Sequence, residues 1–152
     1  MAVNPDFAGR VYPPSEPYAV TAERIAAFAE AVGAQSPLHS DADAARAAGF
    51  ADVVAPPTFA VTIAQDCEAQ FIADPEAGID FARVVHGEQK FAHHSPITGG
   101  DEIVATLHVD ALRQAGGHSM ITTRTELTRP DGGAVSTVTS MIVVRGQSEE
   151  SA

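Results

Sequence analysis

Val53 to Ile72 reads VVAPPTFAVTIAQDCEAQFI. Phe59, Ile63, Cys67 and Phe71 recur four apart, and Ala60 and Ala64 widen that stripe. Residues four apart share one helix face, so the spacing predicts an amphipathic helix. Its other face carries Gln65, Asp66 and Glu68, which leaves only a narrow strip for water. Pro56 and Pro57 stand where such a helix begins, because the first turn has no use for their missing N–H. Four runs of alternating apolar residues follow, and each must bury one face. The simplest solution wraps an antiparallel sheet around this helix.

Downstream, the period changes from helical to alternating after a polar break at Asp74 to Gly78. Arg83 to His94 is the first long strand candidate, and PITGGD (residues 96–101) turns the chain. Glu102 to Arg113 places Ile103, Ala105, Leu107, Val109 and Ala111 on one face. Gly116-Gly117 breaks it, and the Thr-rich run His118 to Arg129 follows. PDGG (130–133) is a strong hairpin turn, and Ala134 to Arg145 is the last strand, rich in β-branched residues. These runs read as an antiparallel meander.

Upstream, three prolines in RVYPPSEPYAV (10–20) confine any strand there to a short edge. Thr21 caps a helix with Ile25, Phe28, Ala29 and Val32 on its apolar stripe, and Gly33 ends it. AQSPLHS (34–40) is a loop, and a second short helix starts at Ser40 or Asp41 and stops at Gly49. Helices first and strands afterwards give an α+β class. The whole chain, 1–152, reads as one domain, with flexible ends at 1–8 and 147–152.

Composition narrows the function. Nine basic residues oppose twenty acidic ones for a net charge of -11, with no basic stripe, so nucleic acid and an anionic membrane surface are poor partners. No apolar run reaches the roughly 20 residues of a membrane span. The first twenty residues lack the apolar core of a signal peptide, and Cys67 is the single cysteine. Both point to the cytoplasm. Cys67 lies on the apolar helix face and reads as a small core residue.

Metal, phosphate and acyl-enzyme sites are absent from the pattern. His93 and His94 are adjacent and point to opposite strand faces, so they read as a solvated strand end and no zinc site is expected. The paired glycines at 99–100 and 132–133 belong to turns, and no Gly-x-Ser-x-Gly frame exists. Two places remain. His39 follows Pro37 in a loop ahead of the long helix, whose N-terminus offers free N–H groups suited to a thioester oxygen. A loop histidine is more often surface polarity than catalyst. His86, with Gly87 and Gln89, interrupts an apolar strand, and it fits equally a histidine bonded beside a bulge at Gly87 and one lining a pocket.

At these two places the chain resembles the MaoC-like hydratase/dehydratases, across roughly residues 8 to 145. The frames are SPLH leading to VVAPPTFA, and VVHGEQKFAHHSPITGGDEI. It is most similar to short actinobacterial proteins akin to the first subunit of the mycobacterial (3R)-hydroxyacyl-ACP dehydratase. The resemblance implies a hotdog, a long helix wrapped by an antiparallel sheet. It also implies a 3-hydroxyacyl or 2-enoyl thioester substrate carried on CoA or acyl carrier protein, with no cofactor. Active members carry Asp-x-Asn-Pro-x-His. Here Pro37 and His39 hold the last two places, while Ala34 stands at the acid and Ser36 at the asparagine. The implied role is a subunit that binds the acyl chain through Pro57, Thr58, Phe59, Ile63, His86 and Gln89. Phe59 and Ile63 fit plain core at least as well. The implied assembly is a homodimer, or a heterodimer with a catalytic hotdog paralogue. A thioesterase reading would need Asp66 or Glu68 as its acid, and a carrier-protein patch would draw on Arg83, Lys90 and Arg124.

Overall fold

The computed structural model describes residues 2–146. Its elements in chain order are β1 (Tyr18–Ala19), α1 (Ala22–Val32), α2 (Ala42–Ala47), α3 (Ala60–Ile72), β2 (Val84–His93), β3 (Glu102–Ala115), β4 (His118–Thr128) and β5 (Ala134–Val144). The local signals act as expected. The Thr21 hydroxyl accepts the Arg24 N–H at 3.2 Å, and Gly33 ends α1 in the left-handed region at φ 73°. Gly132, at φ 93°, makes the β4–β5 turn, where the Arg129 N–H also reaches Gly133 O.

The sheet runs β1-β3-β4-β5-β2, with every pairing antiparallel. It wraps α3, whose Ala60, Ile63, Ala64, Cys67 and Phe71 join the inward side chains of β3, β4 and β5 in one core. This is the hotdog. The meander holds only for β3–β4–β5, because β2 crosses to the far edge and pairs with β5. The reason lies in residues 94–98, which cannot close a tight hairpin. His94 and Ser95 donate their N–H groups to Val135 O, Ile97 O accepts the Ala55 N–H, and Thr98 bridges Val54.

Three further readings are corrected. The α-helix begins at Ala60, three residues after Pro57, because Pro56–Thr62 first forms tight turns in which Phe59 N–H reaches Pro56 O. Ala111 faces solvent because Asp110 is an extra residue between Val109 and Ala111, and this bulge rotates the rest of β3. The first eight residues are not a loose arm as far as they are described. Val3 and Phe7 are buried in the core, and Asn4 N–H bonds Ala77 O at 2.8 Å. The C-terminal end expected to be flexible, 147–152, lies outside the described residues. No helix among the described residues is long and apolar enough to cross a membrane.

Candidate functional site

His39 closes a single 3-10 turn, Pro37–His39, in which the Ser36 hydroxyl accepts the Leu38 N–H. Its Nδ1 lies 2.6 Å from Val54 O. A carbonyl oxygen only accepts, so Nδ1 carries the proton and Nε2 of the neutral ring keeps a free lone pair. Val54 N–H donates to Leu38 O, and Val54 also bridges Thr98. The histidine loop, the lead into α3 and the β2–β3 crossover are thus stitched together by main-chain bonds. A local sequence signal cannot show this, because the partners lie 15 and more residues apart.

Ala34 sits on the other side of that loop. Gly33 turns the chain out of α1, and the Ala34 N–H returns to Ala29 O at 2.8 Å. The backbone there is fixed, but a methyl group can neither move a proton nor orient water.

The lead into α3 borders a groove of about 360 Å3 formed by Val54–Pro57 and His93–Ile97. Pro57 has no N–H, and the Phe59 N–H is spent on Pro56 O. Among the described residues the N–H groups of Thr58 and Ala60 have no protein acceptor, so they are the donors this corner can offer an oxyanion. His93 and His94 are exposed, as expected of a strand end, and bond Ser136 Oγ and Thr137 Oγ1 at 3.1 Å each. Their position on the groove beside Pro57 was not legible from the chain.

The remaining expected residues do not gather there. Phe59 is core, its ring edge-on to Phe28 at 5.5 Å. Ile63 is buried and borders a cleft against the Pro13–Glu16 segment. Gln89 donates to Thr139 O across the sheet. His86 sits beside a bulge at Gly87, with Nε2 at 3.1 Å from Glu88 O, and it also lines a cavity. Both readings of this histidine therefore describe part of the structure. A Cβ at position 87 would lie 2.8 Å from Met141 Cε, so the bulge is tightly packed.

That cavity, about 590 Å3, is bounded by Gln65, Glu68, Ala69, Ile72, Phe81, Val84 and His86. Glu68 was expected on a solvated or interface face of the helix. It is 5% exposed, and its Oε1 has no hydrogen-bond partner. The signal was present, since Glu68 lies four residues after Ala64 and eight after Ala60 on the flank of the buried stripe. Burial pushes its carboxyl above the usual range, and His86 pulls back weakly. The folded state therefore holds this proton at a pH where the unfolded chain, with an ordinary value of 4.5, releases it. The sign follows: the stability associated with Glu68 is fully present below 4.5 and is lost as pH rises through the raised folded value. Replacing Glu68 by Gln is expected to stabilise the protein increasingly with pH, by roughly 1–3 kcal/mol once the wild-type carboxyl is ionised. Thermal melts of both proteins from pH 4 to pH 8 check this, and a constant gap would contradict it.

The three basic residues proposed as a carrier patch are each held by acids. Arg124 bonds Asp110 and Glu126, Lys90 pairs with Glu88 at 3.2 Å, and Arg83 pairs with Asp80. No group of three or more metal-ligating side chains occurs among the described residues.

Comparison with known proteins follows the same geometry. The profile of the FAS1-like dehydratase domain region matches residues 6–138. A UPF0336 protein of Saccharopolyspora erythraea is 45% identical over 150 residues, covering 99% of this chain and 96% of its own length. Among solved structures, a MaoC-like dehydratase superposes with TM-score 0.85 and 31% identity over 92% of this chain, which spans 42% of that larger protein. The HadBC (3R)-hydroxyacyl-ACP dehydratase complex of Mycobacterium tuberculosis gives TM-score 0.82 and 27% identity, covering 91% of this chain and 97% of the matched one. The chain belongs to the family of the FAS1-like dehydratase domain region, among the hotdog dehydratases and hydratases.

Proposed function

We propose that this chain is the acyl-chain-binding subunit of a (3R)-3-hydroxyacyl-thioester dehydratase, reversible as an enoyl-thioester hydratase. The observation that carries it is the half-built dyad. His39 is anchored through Nδ1 to Val54 O with Nε2 free, while the acid position of the same loop is Ala34. Dehydration removes a proton from carbon 2 and a hydroxyl, as water, from carbon 3. One group must hold the first proton while another protonates the departing oxygen. This chain supplies one such group, so a second hotdog chain with the complete Asp-x-Asn-Pro-x-His frame supplies the working pair. The match to a chain of the HadBC complex supports a two-chain assembly. The substrate is an acyl thioester on CoA or on acyl carrier protein.

The purified protein is expected to hydrate crotonyl-CoA and longer enoyl-CoA slowly alone and fast beside a paralogue carrying the full frame. Fast hydration by the chain alone, retained after His39→Ala, would overturn these roles. The second reading is a homodimeric acyl-thioester binding protein without turnover, favoured by the same Ala34. Tight enoyl-CoA binding with no hydration beside any such paralogue would select it.

A further inference from the structure

One side of α3 carries Val61, Gln65, Glu68 and Ile72, which follow one another at three or four residues and so share a face. From Gln65 onward this side borders the cavity of about 590 Å3 together with Val84 and His86 of β2. Its other end adjoins the lead at Pro57, which borders the groove. Val61 is half-buried and Gln65 exposed, so the row stays open between the two.

The cavity wall is apolar at Ala69, Ile72, Phe81 and Val84, and its volume is that of a small-molecule site. Glu68 does not suit a wholly apolar occupant. It is 5% exposed, and its enclosed Oε1 has no hydrogen-bond partner. A chain ending in a methyl group would leave that oxygen unpaired, which buried polar groups rarely are. His86 borders the same cavity. Its Nε2 lies 3.1 Å from Glu88 O, a carbonyl that only accepts, so Nε2 carries the proton and Nδ1 of the neutral ring keeps a lone pair. Burial favours the protonated carboxyl of Glu68, which can donate. A hydroxyl answers both groups, because it accepts from one and donates to the other. An ammonium would force the carboxyl to ionise within an apolar wall. A carboxylate would set a second acid against it.

The separation of the two ends sets the length of the ligand. From Ala60 to Glu68 the helix advances eight residues, which is about 12 Å. An extended carbon chain advances roughly 1.2 Å per bond, so about ten carbons connect the free Thr58 and Ala60 N–H groups with Glu68. We propose that Glu68 is a specificity-determining residue, which with His86 receives a hydroxyl carried on the acyl chain about ten carbons from the thioester carbonyl. The substrate class is then hydroxylated acyl thioesters of medium length. The thioester end of this ligand rests on the function proposed above, and the hydroxyl site rests on the cavity.

The full chain is titrated calorimetrically with ω-hydroxydecenoyl-CoA and with decenoyl-CoA. Wild type is expected to bind the hydroxylated chain about tenfold more tightly, as one added hydrogen bond allows. Glu68→Leu is expected to abolish the preference by binding decenoyl-CoA better. Glu68→Gln, which still donates and accepts, is expected to keep most of it. The readout is a ratio of two ligands on one folded protein, so a loss of stability does not imitate it. Equal affinities in wild type, an unchanged ratio in Glu68→Leu, or tighter binding of the ω-amino chain would overturn the proposal. Free octanol separates the two readings. Saturable octanol binding that Glu68→Leu weakens, with neither CoA ester bound, would support the hydroxyl site and overturn the acyl-thioester function. Equal binding of both CoA esters with no octanol binding would do the reverse.

Discussion

Ala34→Asp is expected to raise enoyl-CoA hydration by the purified chain by at least about a hundredfold, the lower end of what a positioned acid or base contributes. The backbone needed for this is already in place. The left-handed Gly33 and the Ala34 N–H bond to Ala29 O fix the direction in which the chain leaves α1. The Ser36-capped turn then brings His39 to Val54 O, which locks the ring and its tautomer. Hydration requires water to lose a proton as it adds to carbon 3, and carbon 2 to gain one. The new carboxylate and His39 would divide those two transfers, and Thr58 N–H would receive the enolate oxygen. Steady-state hydration of crotonyl-CoA measures the gain. Ala34→Asn, with equal volume and no basicity, is expected to give none. Adding His39→Ala to Ala34→Asp is expected to abolish the gain, because members of a catalytic unit fail together. A folded Ala34→Asp protein at the wild-type rate would show that the missing acid is not what limits this chain.

What the chain revealed of itself follows the range of the interactions involved. The helix stripe, the Thr21 cap, the Gly33 stop and the alternation in β3 depend on residues within a few positions of one another, and each was legible. The crossing of β2 to the far edge depends on bonds from residues 94–98 to Val135 and to residues 54–55, which periodicity cannot express. Ala111 failed for a single inserted residue at Asp110. Glu68 shows the limit most clearly. A charged side chain on the flank of a buried stripe reads as solvent-facing, and only the folding of β2 and Phe81 around it makes it a buried acid. At the His39 site, the pattern of residues was readable and the stitching through Val54 was not. Phe59 and Ile63 pack into the core at the start of α3 and Gln89 bonds across the sheet from β2, so these expected substrate contacts do not gather beside His39.

Phe71→Ala is expected to destabilise the protein by about 3–5 kcal/mol, as deletion of a fully buried aromatic ring does. Phe71 is 0% exposed at the C-terminal end of α3. Its ring lies 5.7 Å from Phe7 and 6.2 Å from Tyr12, and the Arg10 guanidinium covers the other aromatic at 3.8 Å from the Phe7 centroid. The cavity would remove the packing surface for the N-terminal segment as well as the side chain's own burial. Against a typical total of about 5–15 kcal/mol, such a loss brings the fold near its limit. Urea unfolding followed by circular dichroism measures it, and Phe71→Leu, which refills much of the space, is expected to recover most of the difference. The position also tests how the molecule is joined. Asn4 and Phe7 reach α3 and the loop after it only through Ala77, Phe71 and their neighbours. Limited proteolysis of Phe71→Ala is therefore expected to cut within the first ten residues before the sheet is attacked. If the cost is below about 1 kcal/mol and the segment stays protected, the main-chain bonds of Asn4 N–H to Ala77 O and Gly9 N–H to Val109 O hold the N-terminal residues without the ring. The end of α3 that borders the Glu68 cavity would then be free to move without disturbing the core.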